Sequence, residues 1–147
     1  MLMSKVEEFL TAEQEQDIIV AIRKAESTTS GEIRIHIEGS TELDPFDRAM
    51  ELFHNLKMDN TKEQNGVLIY VAVLDKTFVI YGDKGINDVV PSNFWESTKD
   101  VMQSHFRNNQ FSQGLIEGVL KAGEQLSQHF PWQPADINEL PDDISKG

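Results

Sequence analysis

The chain has 147 residues, 39% hydrophobic and 26% charged, the composition of one soluble globular domain with a full core. It contains no cysteine, which excludes disulfides, zinc–thiolate sites, iron–sulfur clusters and cysteine nucleophiles. Its formal charge of −12, from 25 acidic and 13 basic residues, opposes binding to nucleic acid or anionic lipid. The same charge suits divalent cations, or simply keeps the protein soluble.

Residues 1–10 form an N-terminal extension with no apolar h-region. The longest apolar run, Val67 to Leu74, is far short of the roughly 20 residues a membrane helix needs, so a cytoplasmic protein without membrane insertion is expected. Thr11-Ala12-Glu13-Gln14 has the form of a capping box, and Ile18, Ile19, Ile22 and Ala25 continue it as a helical stripe to about Glu26. Ser27 to Gly31 breaks that helix.

Glu32 to Glu38 alternates strictly, with Ile33, Ile35 and Ile37 on one side and Glu32, Arg34, His36 and Glu38 on the other, as in a strand with one apolar face. Asp44-Pro45 starts a second helix, with the proline in its first turn and Phe46, Ala49, Met50, Phe53 and Leu56 as its expected buried stripe. Val67 to Val73 is apolar on both faces, as suits a central strand covered by helices on both sides. The tight Asp75-Lys76 connection to Thr77–Tyr81 reads as a hairpin. Two more helices are expected, from about Ser92 to Arg107 and from about Ser112 to His129, with Pro131 ending the second and Trp95 in the core. From Pro131 onward the chain holds three of its five prolines and four acidic residues, so 132–147 is expected to be an acidic, disordered tail behind a domain spanning 11–131.

The order α-β-α-β-β-α-α implies an α/β fold, a small three-layer α/β/α sandwich. Its mixed sheet has one right-handed strand–helix–strand crossover and one hairpin. In that topology the N-terminal ends of the two parallel strands share a sheet edge with the C-terminal end of the third. Ser30-Gly31-Glu32, Asn65-Gly66 and the loop Gly82-Asp83-Lys84-Gly85-Ile86-Asn87-Asp88 should therefore converge, with Asp59 and Thr61 nearby. Glu32, Asp83, Asn87 and Asp88 offer hard oxygen donors, which fits Ca²⁺ or Mg²⁺ by ligand type. The glycines would let the backbone turn tightly, take positive φ or approach closely. The same loop also reads as a polar turn that caps the segment after it.

The opposite edge, where ligands more often bind in open α/β sheets, carries another acidic set: Glu38, Glu42, Asp44, Asp47 and Asp75. Glu51-Leu52-Phe53-His54 is a single E-x-x-H, read as a solvated pair, and His36 has no obvious partner. H-E-x-x-H, G-x-S-x-G, Walker and G-x-G-x-x-G motifs are absent from the sequence.

Several segments taken in order resemble one family. They are Thr29-Ser30-Gly31-Glu32-Ile33; Thr61 with Asn65 to Ala72; Gly82 to Asn87; Phe94-Trp95; and His129-Phe130-Pro131. Together they resemble a TPM domain, over roughly Leu10 to Pro131. The resemblance implies a Rossmann-like sandwich. It also implies an association with divalent cations, especially Ca²⁺. In plant thylakoid-lumen members it implies photosystem II repair and acid phosphatase activity. Many members carry a signal peptide and a membrane anchor, whereas this chain resembles a stand-alone bacterial member.

Three functions follow as expectations. The first is a Ca²⁺- or Mg²⁺-binding domain acting as a binding or regulatory module, with divalent cations as its partners and its protein partner open. The second is a metal-dependent phosphatase acting on phosphomonoesters, with Asp83 or Glu32 as general base. The third is an acidic protein-interaction domain.

Overall fold

A computed structural model describes residues 5–134 and 144–147. Helix α1 (Lys5–Phe9) lies in the stretch read as an extension, and α2 (Ala12–Glu26) follows. The Thr11 capping box forms as the sequence predicts: Gln14 N donates to Thr11 Oγ1 at 3.1 Å, and Thr11 N donates to Gln14 Oε1 at 2.9 Å. These bonds satisfy two of the amides that a helix N-terminus leaves open.

The sheet contains β1 (Glu32–Glu38), β2 (Gly66–Ala72), β3 (Thr77–Gly82) and β4 (Ile144–Lys146), in the order β3-β2-β1-β4. β1 and β2 are parallel, with Glu32 opposite Gly66 and Glu38 opposite Ala72, and β3 is antiparallel to β2. Between β1 and β2 runs α3 (Pro45–Asn55). After β3 come α4 (Lys84–Asn87), α5 (Glu96–Arg107) and α6 (Phe111–Ser127).

Strand periodicity divides the core between the two faces of the sheet. Ile33, Ile35, Ile37, Val67, Ile69, Val71 and Ile80 pack with Ile18, Ile22, Met102, Leu115, Val119 and Leu126 from α2, α5 and α6. Leu68, Tyr70 and Ala72 face Ala49, Leu52 and Phe53 of α3. Every residue of β2 is buried, which explains why it is apolar on both sides. The result is the expected α/β sandwich, with α3 the one helix on its face among the described residues.

Among the described residues no other helix packs in the α3 cluster, and the expected stripe of α3 is covered only in part. Ala49 and Phe53 are buried and Leu52 joins them, while Phe46 is 52% and Met50 38% exposed. Helix α5 begins at Glu96, not near Ser92, because the chain from Pro91 turns first: Phe94 N donates to Pro91 O and Glu96 N to Asn93 O, both at 3.1 Å. Helices α2 and α6 pack at backbone distance. A Cβ added to Gly123 would lie 2.6 Å from the Ala25 Cβ.

The region read as a disordered tail contributes β4, which pairs parallel to β1 as Ile35–Ile144, His36–Ser145 and Ile37–Lys146. Gly147 N donates to Ile37 O at 2.9 Å, and Lys146 pairs with Glu15 of α2. Residues 135–143, also in that expected tail, lie outside the described residues. Among the described residues no helix is long and apolar enough to cross a membrane.

Candidate functional site

The three predicted segments meet at the N-terminal edge of β1 and β2. Glu32 N donates to Asn65 O at 3.3 Å, and Asp83 N donates to Gly66 O at 2.9 Å, so Glu32 and Asp83 flank the start of β2 from either side. Alternation along β1 and β3 gives both positions the α3 side of the sheet. Both are buried, Glu32 3% and Asp83 9% exposed.

The supporting loops are tied by side chains. Ser30 Oγ donates to Glu63 Oε2 at 2.7 Å, Asn65 Nδ2 donates to the same oxygen at 3.1 Å, and Asn65 N donates to Thr61 Oγ1 at 3.3 Å. Gly85 closes the loop cluster. A Cβ there would fall 2.3 Å from Glu63 O and 2.5 Å from Gln64 O, so only glycine lets α4 rest on this backbone. No described glycine has positive φ; the left-handed positions are Lys57, Gln64, Lys76 and Asn109. The glycines of this edge therefore serve close approach, not unusual torsion.

Asp83 is the N-cap of α4, and its Oδ1 accepts from Lys84 N at 2.7 Å. Its Oδ2 is buried and accepts no hydrogen bond from the described residues. Burial, and secondarily the Asp83 charge, push the Tyr81 phenol upward. Asn87 Nδ2 donates to Gly82 O at 3.1 Å, and Asp88 caps the end of α4; both are exposed. The structure thus brings Glu32 and Asp83 to one buried edge and leaves Asn87 and Asp88 at its surface. Among the described residues, no three His, Cys, Asp or Glu side chains converge closely enough to hold a metal ion.

The competing acidic set on the opposite edge disperses. Glu38 is 5% exposed and enclosed by a polar network. Arg48 Nε donates to its Oε2 at 2.9 Å and Arg48 Nη2 to its Oε1 at 2.8 Å, Tyr70 Oη donates to Oε2, and His36 Nε2 lies 3.2 Å from Oε1. The Arg48 guanidinium, followed by the Tyr70 and His36 hydrogen bonds, outweighs burial and holds the Glu38 carboxyl down at about 2. Burial, and then the bond to Glu38, push the Tyr70 phenol up, while burial is the main cause that lowers His36. Asp44 caps α3 by accepting from Phe46 N at 2.9 Å, and Asp75 accepts from Thr41 N at 3.0 Å. Glu38, Asp44 and Asp75 thus each bond within the fold, and among the described residues the set forms no metal-holding group.

The family model for the TPM domain matches residues 3–125. The chain belongs to the TPM domain family. BA42 protein from the psychrophilic bacterium Bizionia argentinensis, solved by NMR, is 65% identical over 99% of this chain and 100% of its own, with a TM-score of 0.92. Two more distant structures share the fold. The N-terminal domain of a P. gingivalis protein is 24% identical over 83% of this chain and 79% of its own, with a TM-score of 0.67. The N-terminal domain of cg2496 from Corynebacterium glutamicum is 9% identical over 94% of this chain and 80% of its own, with a TM-score of 0.63. No curated protein matches the chain.

Within this TPM domain the sequence pattern locates Glu32 and Asp83 but misses the network around His36. A signal was present, since His36 and Glu38 stand two apart on one face of β1. The other partners, Arg48 from α3, Tyr70 from β2 and Ser145 from β4 at 3.0 Å from His36 Nδ1, come from tertiary structure. In the E-x-x-H, Glu51 pairs with Arg48, while His54 Nδ1 lies 2.7 Å from Asp59 Oδ2 at the surface.

Proposed function

We propose that the edge formed by Glu32 and Asp83 binds a divalent cation, Mg²⁺ or Ca²⁺, and that the domain acts as a cation-responsive binding module. The observation that carries this reading is Asp83 Oδ2, a buried carboxylate oxygen without a hydrogen bond. Leaving such a group unpaired is costly, and a hard cation is the partner that best relieves the cost. Two protein carboxylates with the remaining positions filled by water suit Mg²⁺, which gives up its hydration shell reluctantly. Asn87 spends its Nδ2 on Gly82 O, so its Oδ1 is the donor left for an ion or its waters. Exposed Asp88 adds negative charge to the same loop. When bound, the ion would neutralise the two buried carboxylates and fix the contact between α4 and the loop at Glu63.

A ligand that binds only the folded state stabilises it by about 1.4 kcal/mol at ten times its Kd. Thermal unfolding should therefore shift upward with Mg²⁺ or Ca²⁺ in the wild type, and the shift should disappear in Asp83→Asn. An equal shift in Asp83→Asn would refute the assignment.

A further inference from the structure

At the far edge of the sheet, beyond the carboxyl end of β2, a cavity of about 640 Å³ opens between the β2–β3 hairpin, α1 and the α5–α6 junction. That volume lies within the range of about 300–1,000 Å³ typical of small-molecule sites, and the carboxyl end of parallel strands is where open α/β sheets usually bind ligands. The walls are mainly apolar. Four rings run in sequence: Phe9 to Phe111 at 4.7 Å between centroids, Phe111 to Phe106 at 5.8 Å, and Phe106 to Phe78 at 5.2 Å. Val71 and Val73 continue this surface. Phe9, Phe78 and Phe106 reach the main core, and all four rings are only partly buried, so apolar area remains for an occupant.

Among the described residues, the charged side chains that line the cavity are Lys76, Arg107 and Glu8, two basic and one acidic, in a chain whose formal charge is −12. Lys76 and Arg107 are exposed. At physiological salt the Debye length is about 8 Å, so the lining charges, Lys76 and Arg107 against Glu8, count for more there than charges farther off.

We propose that this cavity binds a small monocarboxylate with an apolar body, the size of a medium-chain fatty acid. Its tail packs against the phenylalanine rings, and its carboxylate is met by Lys76 and Arg107. The proposal does not depend on the cation reading, which concerns the opposite sheet edge.

The test is an NMR titration of the full chain with sodium decanoate, kept below micelle formation, alongside decanol and decyltrimethylammonium. The expected result is saturable shifts at Val73, Lys76, Phe78, Phe106 and Phe111 with decanoate. Affinity should fall about tenfold in the Lys76→Glu/Arg107→Glu variant, the loss expected from two exposed charge contacts of under about 1 kcal/mol each. Both positions are exposed, so the variant should keep the wild-type spectrum elsewhere. Three outcomes would overturn the proposal: no saturable shift, equal binding of decanol or the ammonium amphiphile, or decanoate affinity unchanged in the double variant.

Discussion

Replacing Glu38 by glutamine removes the charge at the centre of a buried polar network. A carboxyl drawn from 4.5 to about 2 gains, at about 1.4 kcal/mol per pH unit, about 3 kcal/mol in its charged form. Removing one partner of a buried pair costs about 3–5 kcal/mol, and the Arg48 side chain is 25% exposed, which favours the low end. The two routes agree on about 3 kcal/mol at neutral pH. The sign follows from the lowered carboxyl. The stabilisation is fully present above about 4.5 and is lost as pH falls toward 2, where protonated Glu38 is as neutral as glutamine. The assay is urea unfolding from pH 7 to pH 2. Both chains carry His36→Gln, whose amide can still donate to Glu38 and accept from Ser145, so the imidazole does not titrate in the comparison. The Glu38→Gln deficit should be about 3 kcal/mol at pH 7 and should shrink below about pH 4.5. A deficit under about 1 kcal/mol, or one independent of pH, would refute the assignment of Glu38 as a buried, charge-stabilised group.

Gly85→Ala places a methyl group against immobile backbone oxygens at 2.3 and 2.5 Å, so urea unfolding should show a loss of about 1–3 kcal/mol and calorimetry a weaker cation response. Gly123→Ala sets a helix-propensity gain of about 1 kcal/mol against a 2.6 Å clash with Ala25, and the clash should win, giving net destabilisation in thermal melts. His36 is lowered chiefly by burial, so its contribution is present above its ordinary value of 6.5 and is lost as pH falls below it. In His36→Gln alone, that part of the acid-side decline in stability should be absent when unfolding is followed between about pH 7 and pH 5.

The architecture was legible because its elements carry strong local signals. The alternation of Glu32–Glu38, the two-sided burial of Gly66–Ala72 and the Thr11 capping box all appear where the pattern puts them. Topology then put Glu32 and Asp83 on one edge, either side of β2, since two parallel strands and a hairpin leave those residues that edge in common. β4 was hidden because Ile144, Ser145 and Lys146 have no periodicity of their own and draw their structure from the open side of β1. The exposure of Phe46 and Met50 was hidden too, because a helical stripe does not say how many neighbours will cover it. At the site, the glycines were legible as permissive residues. Which freedom they use depended on where the 61–65 loop lay.

The most direct test of the cation edge is the set of backbone amide shifts during Mg²⁺ and Ca²⁺ titration of the wild type and Asp83→Asn. Saturable shifts should centre on Gly31, Glu32, Gly66 and the loop from Gly82 to Asp88, and should be lost in the variant. Shifts centred on Glu38 to Asp47 and on Asp75, or shifts that persist unchanged in Asp83→Asn, would contradict it.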